Sequence, residues 1–181
     1  MAKFYKELST RIKRFITEQK MFFVATAPTK GRINLSPKGM DTFRILSDTK
    51  VAWLSVTGSG NETSAHILEN NRITIMFCAF QGAPNILRLY GTAMEIQEED
   101  TDWESYIELF PKLPGTRQIF IVDLDTIQTS CGMSLPFYEY QGERTELNEW
   151  AEGIGKDGIA AYWEEKNQVS IDGLKTKQNQ Q

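Results

Sequence analysis

The chain has 181 residues, 40% of them hydrophobic, and 20 Lys+Arg against 24 Asp+Glu give a formal charge of -4. That is the size and composition of one folded domain with a core of its own, and the acidic balance argues against a general nucleic-acid binder. A single histidine, His66, and two distant cysteines, Cys78 and Cys131, leave no Cys/His zinc set, so no metal site is assigned.

The first residues, Met1 to Glu7, lack the apolar stretch of a signal peptide, and no later stretch approaches a membrane span. The expectation is a cytoplasmic protein with no membrane partner, its cysteines reduced. Phe4, Leu8, Ile12, Phe15 and Ile16 recur at helical spacing and predict an opening amphipathic helix. Residues 21–27 and 32–36 read as two strands joined by a turn through Pro28, Lys30 and Gly31. Residues 51–56 make a third strand and 72–80 a fourth, both rich in β-branched and aromatic side chains. Residues 86–96 make a fifth, in a hairpin with the fourth.

An acidic helix follows at 103–109 and a sixth strand at 118–125. Six strands in a mostly meandering order predict a mainly β, α+β fold: an antiparallel barrel with flanking helices. Residues 130–140 read as a lid or an arm; helices are expected near 147–151 and 159–166, and 175–181 as a flexible polar tail. The resulting division is a barrel domain over 1–128, an extension over 129–174 packed on that domain or on a partner, and the tail.

Three segments can carry chemistry. Thr57-Gly58-Ser59-Gly60-Asn61-Glu62-Thr63 leads a strand through glycines into a helix, with Asn61 as the expected N-cap. Backbone N–H groups and the positive end of the helix dipole suit a phosphate there; the same turn also reads as plain capping. Ser36-Pro37-Lys38-Gly39 fixes a lysine at a strand end, either a solvated cation or one aimed at a phosphate or a ring bearing negative charge. Arg88, flanked by Leu87 and Leu89, shares its strand face with Ile86 and Tyr90 and requires a carboxylate, a ligand or a partner subunit. His66 reads as structural or surface, and no catalytic acid, base or nucleophile is assigned.

Taken together, Asn34-Leu35-Ser36-Pro37-Lys38-Gly39, the Thr57 to Thr63 turn, Glu69-Asn70-Asn71-Arg72 and Ile86-Leu87-Arg88-Leu89-Tyr90-Gly91 resemble the pyridoxamine 5'-phosphate oxidase related flavoproteins. The resemblance covers about residues 22–127 and suggests the branch marked by Ser-Pro-Lys-Gly. It implies a six-stranded split barrel that forms a homodimer with shared FMN sites. Ser36, Lys38, Thr57, Gly58, Ser59, Asn61, Glu62 and Thr63 would hold the cofactor, with Arg88 contacting the flavin or a substrate anion. An oxidoreductase acting on a small molecule with a separate electron donor is the implied function. A flavin or haem sensor without turnover is the alternative, and a deazaflavin could replace FMN. The chain also departs from the true oxidases. Ile33 stands where they carry arginine, Asn61-Glu62-Thr63 replaces Ser-Arg-Lys, and Ser170-Ile171-Asp172-Gly173 replaces their tryptophan- and arginine-bearing terminus. Oxidation of pyridoxamine phosphate itself is therefore not expected.

Overall fold

A computed structural model describes residues 2–180. Eight antiparallel strands curl into a split barrel: β1 (Lys3–Tyr5), β2 (Phe22–Thr26), β3 (Asn34–Lys38), β4 (Phe43–Ile45), β5 (Lys50–Val56), β6 (Arg72–Cys78), β7 (Asn85–Ile96) and β8 (Thr116–Cys131). The helices are α1 (Thr10–Glu18), α2 (Glu62–Asn70), α3 (Trp103–Ile107) and α4 (Glu146–Lys166), with a final 3-10 turn at Lys177–Gln180. The strand order is β3-β2-β6-β7-β8-β5-β4, with β1 on β8. Among the described residues no helix is long and apolar enough to cross a membrane.

All six expected strands are present, and two three-residue strands join them. The opening helix starts later than its apolar spacing suggested. Lys3–Tyr5 pairs with Ile127 to Thr129 on β8, and Phe4 stays 66% exposed. Ser9 then caps α1, accepting from the Ile12 amide at 3.4 Å, so Leu8, Ile12 and Ile16 are the residues that bury. The two helices expected near the C-terminus meet end to end in α4, broken at Gly155, whose φ of 67° and ψ of 179° are not helical.

β8 organises the sheet. One edge pairs with β7 from Ile119 to Cys131, and the other takes β5 and then β1. The strand thus runs through the expected boundary at 128, and Ser130 and Cys131 belong to it rather than to a lid. Val51 and Trp53 of β5 face one core with Phe22, Phe77, Leu87, Leu89 and Phe120, under α1 and Ile67 of α2. Ala52 and Leu54 face a second core with Ile96, Trp103, Phe110, Ile119 and Ile121, closed by α3. A strand buried on both faces explains why residues 51–55 read as a nearly continuous apolar run. Trp53 stacks on Phe120 at 4.7 Å and 19°.

The segment after α4 is not a frayed tail over residues 175–178. Val169 bridges Lys175, and fully buried Thr176 donates to the carbonyl of Asn167 at 2.8 Å. Lys177 pairs with Asp100 and donates to the Glu95 carbonyl at 3.2 Å. Gln181, the last of the expected tail, lies outside the described residues. Residues 167–177 form a strap across one side of the barrel.

Candidate functional site

Beneath that strap lies a cavity of about 640 Å³, within the size range of small-molecule and cofactor sites. Alternation along the edge strand β3 turns Asn34, Ser36 and Lys38 to one face, where all three line the cavity, and leaves Leu35 61% exposed on the other. The turn Gly58-Ser59-Gly60-Asn61 and the first residues of α2, Glu62 and Thr63, form the opposite wall. Ser55 and Arg117 complete the barrel side, while Lys166 at the end of α4 and Val169, Ser170 and Ile171 of the strap close it.

Seven of the nine residues singled out from sequence therefore meet around one space. The other two do not. Thr57 is buried and fully engaged: its hydroxyl donates to the Gly115 carbonyl and accepts from Trp163 Nε1, each at 2.8 Å, so it fastens α4 to the turn. Arg88 lies outside the cavity of its own chain and donates to Ser130 Oγ at 3.1 Å. Its strand face is as expected, since Leu87 and Leu89 are fully buried opposite it.

Asn61 opens α2 without the side-chain cap expected of it. Its amide is instead paired with that of Gln118: Gln118 Nε2 donates to Asn61 Oδ1 at 2.6 Å, and Asn61 Nδ2 donates to Gln118 Oε1 at 3.2 Å. The first amides of α2 are thus left without a side-chain acceptor from the cap, at the positive end of the helix.

Arg117 is the principal residue that sequence reasoning missed. It is 6% exposed and donates to Gly60 O at 3.1 Å, to Asn167 Oδ1 and to Ser55 Oγ, yet its Nε has no partner. Burial lowers its pKa to about 10, opposed by the Glu95 carboxylate and by Tyr162. Lys38 sits 5.3 Å from the Trp53 ring centroid, and burial, helped by the charge on Arg117, brings its ammonium pKa down to about 8. No carboxylate lies within ion-pairing distance of either cation among the described residues. Below them Glu95 is buried beside Gln97, whose Nε2 donates to it at 2.8 Å, and burial pushes its carboxyl pKa up.

Ile33 and Asn61-Glu62-Thr63 supply no cation to this cavity, and Lys38 and Arg117 are two that line it. Lys38 stands on β3 and Arg117 on β8. A lone basic residue ahead of the apolar run 119–122 was the available signal for Arg117. Arg32 also lines the cavity, but Asp172 of the strap pairs with it. His66, the one histidine available to a haem iron, is 1% exposed with Nδ1 at 3.0 Å from Thr26 Oγ1. Its Nε2 faces Glu62 Oε2 at 3.8 Å, so an iron at that nitrogen would have to displace the carboxylate.

The antiparallel split barrel with a cationic cleft beside a strand-to-helix turn defines a class of fold, and comparison with known proteins agrees. Residues 8–131 match the family model described as pyridoxamine 5'-phosphate oxidase. The chain is 36% identical to the pyridoxamine 5'-phosphate oxidase family protein ustO of Aspergillus flavus, over 94% of this chain and 76% of that one. Among solved structures, a HupZ variant from Group A Streptococcus superposes with a TM-score of 0.56 at 23% identity, covering 68% of this chain and 99% of that one. A pyridoxamine 5'-phosphate oxidase-like protein from Lactobacillus delbrueckii gives 0.54 at 15%, covering 68% and 94%. The chain belongs to the pyridoxamine 5'-phosphate oxidase family.

Proposed function

We propose that the cavity holds FMN and that the protein is a flavin-dependent oxidoreductase acting on a small molecule other than pyridoxamine phosphate. The observation that carries this reading is the pair of cations, Lys38 and Arg117, that face one cavity without a carboxylate partner. A buried guanidinium with an orphaned Nε, beside the uncapped start of α2, fits the phosphate end of such a ligand. FMN would supply the electron chemistry. The chain supplies position and charge: Lys38 and Arg117 hold the anion, Asn34, Ser36, Ser59 and Thr63 offer hydrogen bonds, and the strap limits the access of water. The reading includes a homodimer in which Arg88 of a second copy reaches the site, tested by sedimentation at micromolar concentration; a stable monomer would remove the shared site.

Protein purified without added cofactor is expected to show paired flavin absorption bands and to release FMN, identified by mass. Colourless protein that takes up no added FMN would overturn the reading. Lys38→Ala is expected to weaken FMN binding by about 1.5–3 kcal/mol, the range for a charge-assisted contact; unchanged affinity would remove Lys38 from the site.

The same lysine sets a pH dependence. Its folded pKa of about 8 lies below the ordinary value of 10.5, so between these pH values the unfolded chain holds a proton that the folded chain has lost. From this group alone stability therefore rises with pH across that window, while affinity for an anion falls as pH passes about 8. Lys38→Met is expected to remove both dependences in parallel denaturation and FMN titrations.

A further inference from the structure

Among the described residues Glu62 is the one carboxylate lining the cavity, and it stands at the first position of α2 where the anion is proposed to bind. Its Oε1 is fixed by the Ile171 amide of the strap at 2.9 Å. Its Oε2 is buried without a hydrogen-bond partner, and so is Nε2 of His66, one helical turn further on. The two orphaned atoms face each other at 3.8 Å. Thr26 Oγ1 holds the other imidazole nitrogen, so the ring is oriented and one of its nitrogens is committed toward the carboxylate. Two buried polar atoms left unsatisfied this close together are costly; a small closure would pair them through the Nε2–H tautomer, and one added proton would turn that contact into an imidazolium–carboxylate bond.

We propose that Glu62 and His66 form a proton-uptake site, which takes one proton from solvent when an anionic phosphate ligand binds in the cavity. The pair then carries the imidazolium–carboxylate bond, and the ligand no longer meets an uncompensated carboxylate at the start of α2. The inference rests on the FMN reading above. Other charged groups surround the pair. From the strap, Asp172 interacts with His66 and is itself paired with Arg32. Lys38 of β3, Arg117 of β8 and Lys166 of α4 share the cavity, and Glu95 of β7 faces Arg117 from below. Lys38 is mostly charged already at pH 6.5, well under its value of about 8, which leaves that pH free for the test.

The experiment is calorimetric titration of apoprotein with FMN at pH 6.5 in buffers of different ionisation enthalpy, which counts protons exchanged per ligand bound. The native chain is compared with Glu62→Gln and His66→Gln. The difference from Glu62→Gln cancels whatever proton the phosphate itself exchanges. The native chain is expected to take up about one proton more than either variant. Equal proton counts in native chain and variants would assign any uptake to Lys38 or Glu95 and overturn the proposal. If His66→Gln does not fold, the comparison with Glu62→Gln alone decides. If FMN gives no heat, the FMN reading fails, and the same titrations with inorganic phosphate decide the proton pair; no heat from either overturns both.

Discussion

Alanine in place of Gly91 is expected to prevent stable folding. Gly91 lies at the bulge where the pairing of β7 with β8 shifts, from Tyr90↔Thr126 to Gly91↔Leu124. A Cβ there would sit 2.0 Å from the Asp123 carbonyl oxygen, 2.9 Å from its carbon and 3.1 Å from Leu124 Cα. All three atoms are backbone, so no rotamer change relieves the clash, and β8 has nowhere to move. Its other edge is held by the Lys50↔Asp123 pairing and by the Leu124 amide donating to Thr49 O at 2.8 Å. The loss should exceed about 4 kcal/mol, in the range reserved for broken backbone packing. Gly153→Ala is the control, in helix α4 with no atom near its would-be Cβ; there alanine should be neutral or stabilise by up to about 1 kcal/mol. Circular dichroism melts of the two variants read both results, and a folded Gly91→Ala protein with native melting temperature would refute the account of the bulge.

Arg117→Ala is expected to affect both stability and ligand binding. The guanidinium supports Gly60 O, Ser55 Oγ and Asn167 Oδ1, and its charge faces Glu95. Removing it takes away one of two cations, Lys177 being the other, that favour the charged form of buried Glu95, and leaves Asn167 Nδ2 donating to Gly58 O at 3.1 Å as the contact of Asn167 with the glycine turn. Breaking a buried charged network from one side costs about 3–5 kcal/mol, which for a chain of this size lowers the melting temperature by roughly 6–20 °C. The FMN proposed for the cavity should be lost on purification. Adding Glu95→Gln should recover part of the stability but none of the binding of the proposed flavin, because it removes a buried charge that has lost one of its cations without restoring that cation. A double variant as unstable as Arg117→Ala alone would show that Glu95 is not the source of the cost.

The parts of this molecule legible in sequence are those written into local pattern. β5 and β6 are apolar runs bounded by turns, and Lys38 and the Thr57 to Thr63 turn stand out because proline and glycine fix the backbone beside them. Lys3–Tyr5 was hidden because Phe4 continues the spacing of Leu8 and Ile12; only its pairing with Ile127 to Thr129 makes it a strand. β4 is three residues long and exists through Val51 to Trp53. Arg117 shows in sequence only as a basic residue ahead of an apolar run, and what makes it part of a site is Asn167, fifty residues later. Thr57 misleads in the opposite direction: it has the residue type of a ligand contact, and its hydroxyl is consumed by Gly115 and Trp163.

The strap also imposes an order in time on biosynthesis. Residues 8–131, which carry every strand from β2 to β8, leave the ribosome before Asn167 and Lys177 exist. At the usual pace of elongation the gap lasts roughly 2–10 s. Throughout it Arg117 lacks its Asn167 acceptor, and the Glu95 carbonyl lacks the Lys177 ammonium that meets it in the finished fold. The nascent barrel therefore spends seconds with a charged, water-accessible flank before the strap covers it.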